Sequence, residues 1–151
     1  MEPIRQVGND GVKESAVIAE LYKFYPQWRF YPTPRFYFSD FHLNHAYDNG
    51  RENYIGDLEI KWLGSPWEQG AIFPFEKLQK LIISPPFTDG DDVFHRICFR
   101  FNNETAIIPV KILAGIQPRW NIRNDTQERD LVVDISSDIV QKYLLNVTIQ
   151  K

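Results

Sequence analysis

The chain has 151 residues, the length of a single domain that can bury a hydrophobic core. Its 43% hydrophobic and 25% charged residues are typical of a globular protein, and 15% aromatic residues argue against disorder. The net charge of −3 excludes a whole-protein attraction to nucleic acid, although it leaves room for a local basic surface.

Two simple features of the sequence narrow the class of protein. Cys98 is the single cysteine, which excludes an intrachain disulfide and a cysteine-ligated zinc site. The N-terminal segment lacks the apolar run of a signal peptide, and no segment approaches the roughly 20 apolar residues of a membrane-spanning helix. We therefore expect a cytoplasmic protein that does not contact a membrane.

The first predicted element is a helix over residues 12–25, with Asn9 and Asp10 as candidate N-caps and Pro26 as its stop. Glu14 has the spacing that places it on the buried face of this helix. The apolar residues of that face recur at intervals of three and four: Val17, Ile18, Leu21, Phe24 and Tyr25.

An aromatic belt follows over residues 22–38, with nine aromatic residues, three basic residues and no acid. The composition favours a core or an interface. Trp28, Arg29 and Arg35 offer an alternative, since aromatic rings interleaved with guanidinium groups bind single-stranded nucleic acid by stacking and charge.

A β-hairpin is predicted next, with strands over residues 35–47 and 54–63 joined by Asp48-Asn49-Gly50, a strong turn sequence. Side chains two residues apart in a strand point to the same face. The second strand therefore has an apolar face of Leu58, Ile60 and Trp62, and a polar face of Asp57, Glu59 and Lys61.

Helices and strands alternate along the rest of the chain. We predict a loop over 64–70, a helix over 75–83, strands over 93–101 and 105–113 joined by a turn, and a loop over 115–127. A strand over 131–135 and a helix capped by Ser136 or Ser137 and reaching about residue 145 complete the chain. This order predicts a mixed α/β (α+β) domain.

The polar face of the second hairpin strand suits the hydrolysis of a phosphodiester. Mg²⁺ binds through one or two carboxylates, backbone carbonyls and waters, and Glu59 supplies one carboxylate. Asp40 lies across the hairpin and supplies the second. Lys61 is then placed to hold the attacking water or to stabilise charge on the phosphate.

The order of these residues resembles the PD-(D/E)xK nuclease superfamily, which includes restriction endonucleases, Holliday-junction resolvases and phage exonucleases. The matching residues are Glu14 on the first helix, Ser39-Asp40 on the first strand, Glu59-Ile60-Lys61 on the returning strand, and the helical stretch around Phe75 to Gln79. The resemblance covers roughly the first two-thirds of the chain. Ser39 stands where the family pattern has proline.

The resemblance implies a restriction-endonuclease-like mixed sheet flanked by helices, with a nuclease-like core over residues 1–110 and a C-terminal addition over 111–151 within one domain. It implies a Mg²⁺-dependent DNA endonuclease, with Mn²⁺ as an alternative metal, acting on duplex, branched or single-stranded DNA, with a homodimer as the assembly that cuts two strands. Asp40, Glu59 and the Ile60 carbonyl would bind the metal, Lys61 and Glu14 would complete the catalytic set, and Gln79 and Asp57 would support it.

Each of these residues also has an ordinary interpretation. The alternative for Glu59 and Lys61 is an ion pair on a solvated strand. The alternative for Glu14 is stabilisation by the helix dipole, which favours any acid near a helix N-terminus. Asp57 could replace Asp40 as a ligand, but a solvated residue near the turn is the favoured interpretation. Arg96 and Arg100 could contact phosphate, together with Arg119 and Arg123, or form a solvated strand face.

A different class of function therefore stays open at this point. A β-rich structural or interaction module, such as a phage-type assembly protein, would use the aromatic residues and strands as a protein interface. A nuclease fold with an inactive site would bind DNA without cutting it. The position of Asp40 relative to Glu59 separates these hypotheses, because a metal site needs both carboxylates on one face of the sheet.

Overall fold

A computed structural model describes residues 9–122 and 129–145, with the side chains of residues 9–12 excepted. The fold is mixed α/β, as predicted. The helices are α1 (Asn9–Phe24), α2 (Phe75–Ile83) and α3 (Ser137–Lys142). The strands are β1 (Trp28–Pro32), β2 (Phe41–Ala46), β3 (Glu52–Trp62), β4 (Ala71–Pro74), β5 (Arg96–Arg100), β6 (Thr105–Pro109), β7 (Arg119–Ile122) and β8 (Arg129–Ile135).

The strands form two sheets. The larger sheet has five strands in the order β1-β2-β3-β5-β6, and all neighbours are antiparallel except β3 and β5. A parallel pair needs a crossover, and the connection from β3 to β5 carries β4 and α2 across one face of the sheet. The smaller sheet is antiparallel, in the order β4-β8-β7.

Helices and the smaller sheet cover the two faces of the larger sheet. On one face α1 packs Val17 and Leu21 against Leu58 and Cys98 of the strands. The other face buries its apolar side chains against α2, α3 and the smaller sheet, and the largest of these are Phe73, Phe99, Phe101, Leu78, Leu81 and Ile135. No helix in the described ranges is long and apolar enough to cross a membrane.

Several predicted elements have different boundaries in the structure. The helix begins at Asn9 and ends at Phe24, so Asn9 and Asp10 lie inside it. The strand predicted over 35–47 starts only at Phe41, because a turn closed by the Tyr37 amide and the Pro34 carbonyl (3.0 Å) interrupts the extended chain. The aromatic belt contains strand β1, which was not predicted. The helix over 75–83 is confirmed.

The C-terminal third departs further from the predictions. The strand predicted over 105–113 ends at Pro109, and a 3-10 turn follows over Val110–Leu113. The predicted loop over 115–127 contains β7, and its last part lies outside the described residues. Ser136 caps α3 through its side chain, as predicted, but the helix stops at Lys142 because the following residues bond to the edge of β6.

A β-bulge in β3 sets the register of the β2–β3 hairpin. Asn44 pairs with Tyr54 and Leu43 pairs with Gly56, so Ile55 is an extra residue on β3. Beyond the bulge Phe41 pairs with Leu58, and Asp40 therefore lies opposite Glu59. Without the extra residue Asp40 would oppose Leu58 and point to the other face, because a shift of one residue reverses the faces of a strand.

We predict that Gly56→Ala strongly destabilises the fold. Gly56 has φ +119°, and a Cβ atom there would lie 2.0 Å from the Phe94 carbonyl oxygen. Gly115→Ala is the matched control, since Gly115 has φ +92° but open space around it. Both variants carry a strain of about 1–2 kcal/mol from the positive φ, and the clash should add at least about 2 kcal/mol at Gly56. Equal losses of unfolding free energy in urea would contradict this packing.

Candidate active site

Five of the predicted site residues, Glu14, Asp40, Glu59, Ile60 and Lys61, line one cleft of about 330 Å³. The cleft lies where the first turns of α1, the start of β2, the second half of β3 and the start of α2 meet. Its lining residues are Lys13, Glu14, Asp40, Glu59, Ile60, Lys61, Trp62 and Lys77. Glu14, Asp40, Glu59 and Lys61 come from three separate elements, and the fold brings them together.

Asp40 is fixed beside β3 by both its backbone and its side chain. Its amide donates to the Leu58 carbonyl (3.1 Å), and its Oδ2 accepts a hydrogen bond from the Ile60 amide (2.8 Å). Because β2 begins only at Phe41, the Ile60 amide has lost its strand neighbour, and the Asp40 carboxylate satisfies it. The carboxylate is thereby held at the end of the strand pair, on the side of Glu59.

Glu59 is a buried acid with one unsatisfied oxygen. The residue is 3% exposed. Its Oε2 lies 2.6 Å from Nζ of Lys77 on α2, whereas its Oε1 is buried without a hydrogen-bond partner among the described residues. A buried carboxylate oxygen without a partner is costly and uncommon, and a bound cation is one physical explanation for it.

The surroundings of Glu59 also disfavour its negative charge. Burial and the carboxylate of Asp40 raise the pKa of Glu59 to about 8, and the carboxylate of Glu14 adds to the increase. The ammonium group of Lys77 acts against this and lowers the pKa. A divalent cation would relieve this arrangement, in which two neighbouring carboxylates disfavour the ionisation of a buried Glu59.

The donor set fits a hard cation that retains part of its water shell. No group of three or more His, Cys, Asp or Glu side chains in the described ranges is arranged to hold a metal ion. Mg²⁺ needs only one or two protein carboxylates besides its waters. Asp40 and Glu59 can supply these carboxylates, and the Ile60 carbonyl can supply a further oxygen. Zinc favours histidine and cysteine ligands, and neither residue type is among those that line the cleft.

Lys77, and not the predicted Gln79, is the residue of α2 that contacts Glu59. Both residues lie on α2, but Lys77 lines the cleft and contacts Glu59, whereas Gln79 is not among the cleft-lining residues. Sequence analysis missed Lys77 because nothing local links it to Glu59. The crossover that brings α2 across the sheet decides which side chain of the helix meets the acid.

Asp57 is not the solvated residue that the sequence favoured, because it is fully buried. Its Oδ2 accepts a hydrogen bond from Oγ of Ser39 (2.9 Å), and its Oδ1 accepts one from the Tyr54 hydroxyl (2.7 Å). Nδ1 of His42 lies 2.8 Å from the same Oδ1. These contacts saturate the carboxylate, so Asp57 supports the structure next to the cleft without lining it.

The two arginines of β5 do not form the exposed phosphate-contacting surface considered above. Arg96 is 8% exposed, and its guanidinium donates to the carbonyls of Ile55 (2.8 Å) and Phe94 (2.9 Å). Arg100 forms an ion pair with Glu20 (2.9 Å). In the smaller sheet Arg119 pairs with Asp134, and Arg123 lies outside the described residues.

The fold buries part of the aromatic belt and leaves another part exposed to solvent. Trp28 is buried and stacks on Tyr25, with ring centroids 3.9 Å apart, so its face is not available to a nucleobase. The Arg29 guanidinium donates to the backbone carbonyls of Pro26 and Trp28. Arg35 is exposed and lies 4.8 Å from the ring centroid of Phe36, and this pair is accessible, as are the rings of Tyr22, Phe24 and Tyr31.

Comparison with known proteins adds no relative. No protein-family model matches the chain, and the search of curated proteins and that of solved structures also gave no match. The functional conclusion therefore depends on the geometry and chemistry of the cleft.

We predict that Glu59 makes the metal-free protein less stable as the pH rises. Its pKa is about 8 in the folded state against a usual value of 4.5, so the folded protein holds the extra proton between these values. The unfolding free energy should fall from pH 5 to pH 8 by on the order of 2–4 kcal/mol more than in Glu59→Gln, which cannot ionise. Urea unfolding in EDTA measures this difference. The same pH dependence in both proteins would contradict it.

Proposed function

We propose that the protein is a Mg²⁺-dependent DNA endonuclease of the PD-(D/E)xK type. One observation carries the proposal: Glu59 lines the same cleft as Asp40 and Lys61, and one of its buried oxygens has no hydrogen-bond partner among the described residues. A structural ion pair on a solvated strand would leave Glu59 exposed, and Glu59 is buried. The burial of an acid next to other acids is difficult to explain by stability alone.

Each residue of the cleft has a role in this proposal. Asp40, Glu59 and the Ile60 carbonyl bind the cation. When bound, Mg²⁺ supplies polarisation of the phosphoryl oxygen and a water of lowered pKa. Lys61 orients the attacking water and stabilises the negative charge that grows on the phosphate. Glu14 reaches the site from α1, and Lys77 compensates the charge of Glu59 when no cation is bound.

The order of elements around the cleft supports a restriction-endonuclease-like core. The acids lie on α1, at the start of β2 and on β3, and the crossover through α2 returns the chain to β5 parallel to β3. The proposed core over residues 1–110 would contain all of these elements. The C-terminal strand β8 extends it by pairing with β4, and β7 pairs with β8 in turn. Val133 and Ile135 of β8 join the same hydrophobic cluster as α2.

The proposal extends to the assembly. One chain has one such cleft among its described residues, whereas a duplex has two strands to cut. A homodimer acting on duplex or branched DNA would place two clefts on opposite strands.

Cleavage of DNA is the direct test. We expect the wild-type protein to cut DNA with Mg²⁺ or Mn²⁺ and not in EDTA. Lys61→Ala, Glu59→Gln and Asp40→Asn should each lower the rate at least about 100-fold, since each removes a group that acts on the transition state or its cation. Lys142→Ala, an exposed lysine at the end of α3, is the control and should keep full activity. Full activity of Lys61→Ala and Glu59→Gln would refute the assignment.

Metal binding can be tested separately from cleavage. A cation that binds only the folded state raises the unfolding free energy by about 2.7 kcal/mol at 100 times its dissociation constant. We expect Mg²⁺ to stabilise the wild-type protein in urea and to have little effect on Asp40→Asn or Glu59→Gln. Stabilisation without cleavage of any DNA would favour a DNA binder with an inactive site. If Mg²⁺ neither stabilises the protein nor supports cleavage, the interaction module is favoured.

A further inference from the structure

Phe36 is displayed to solvent in an unusual backbone conformation. Its side chain is 90% exposed, and its φ of +69° lies in the left-handed region, where it is the one non-glycine residue among those described. This conformation costs a bulky residue about 1–3 kcal/mol and persists only where the surroundings enforce it. Such strain at an exposed aromatic residue points to a function for the ring.

The loop that carries Phe36 is closed and leads directly to the active site. The Thr33 amide donates to the Asp40 carbonyl (3.0 Å), and the buried Thr33 hydroxyl donates to the Ser39 carbonyl. The Tyr37 amide bonds to Pro34 within the loop. Because the last residue of this loop is Asp40, the position of Phe36 is fixed relative to the proposed metal ligands.

A second cavity, of about 280 Å³, lies between this loop and α2. The loop contributes three consecutive aromatic residues (36–38), and α2 contributes Glu76, Lys77 and Lys80. Lys77 also lines the active-site cleft and contacts Glu59, so the two cavities adjoin at this side chain. A group bound in the second cavity would therefore be a direct neighbour of a phosphate in the first.

The chemistry of this cavity matches a nucleotide. Aromatic rings stack on the faces of nucleobases, and the ammonium group of Lys80 attracts the phosphates beside them. Lys77 pairs with Glu59, and Glu76 is the one acid of the lining. The Arg35 guanidinium lies over the Phe36 ring and adds a third positive charge at the rim. An apolar peptide would gain from the rings but not from this row of cations.

We propose that this cavity binds an unpaired nucleobase next to the scissile phosphate, with the base stacked on Phe36. The substrate is then single-stranded DNA, or the unpaired nucleotides of branched DNA, because the base faces of an intact duplex are covered by their neighbours. This inference rests on the proposed nuclease function for the identity of the neighbouring phosphate, and it adds the kind of DNA that the cleft receives.

The test measures binding in EDTA, where no cleavage occurs. Fluorescence anisotropy would follow a labelled 12-nucleotide thymidine oligomer and a labelled, blunt-ended duplex of 12 base pairs. Phe36→Ala should weaken binding of the oligomer about 10-fold, the loss of one stacked base, and leave duplex binding within about twofold. Phe36→Trp should restore oligomer binding. Trp120→Ala removes another exposed ring, on β7, and should change neither affinity.

The outcomes separate this inference from the nuclease proposal. Unchanged oligomer binding by Phe36→Ala, an equal loss for duplex and oligomer, or no binding of the oligomer by the wild-type protein would overturn the base site. A wild-type protein that cleaves DNA with Mg²⁺ would still be a nuclease in each of these cases. A Phe36-dependent affinity for the oligomer without cleavage would support the base site and refute the nuclease.

Discussion

The cleft depends on one irregularity, the bulge at Ile55 and Gly56 in β3. The extra residue moves Asp40 from the face of Leu58 to the face of Glu59, and without it the two acids would lie on opposite sides of the sheet. The bulge is fastened by its own carbonyl, since that of Ile55 accepts hydrogen bonds from the Phe94 amide (3.1 Å) and the Arg96 guanidinium (2.8 Å). Gly56 lets the backbone pass close to Phe94.

The buried acid at the centre of the cleft then determines what the surrounding elements do. Glu59 lies beneath α2, whose Lys77 compensates part of its charge, and its second oxygen has no partner among the described residues. The same helix lines the neighbouring cavity with Lys77 and Lys80, opposite the aromatic loop that ends at Asp40. The proposed cation, phosphate and base sites therefore share two elements, α2 and this loop, and each positions more than one of them.

Local patterns predicted the elements that are governed by local forces. The alternation around Glu59, the α2 helix and the Ser136 cap follow from side-chain periodicity and capping chemistry. Strands β1 and β7 were missed because Trp28–Pro32 and Arg119–Ile122 are short and become strands by pairing with distant segments. Arg96 looked like a surface residue, and only the packing of the bulge shows that its guanidinium bonds to buried carbonyls.

The sequence by itself determined that Glu59 and Lys61 share a face of one strand, because alternation in a strand is a local property, and it named the side chains that the proposed metal-dependent hydrolase would use. Only the tertiary structure decided that Asp40 joins them, that Asp57 is instead saturated by Ser39 and Tyr54, and that Lys77 meets Glu59. The reason is physical. A bulge of one residue and the path of a crossover helix set long-range register, which no periodic pattern encodes.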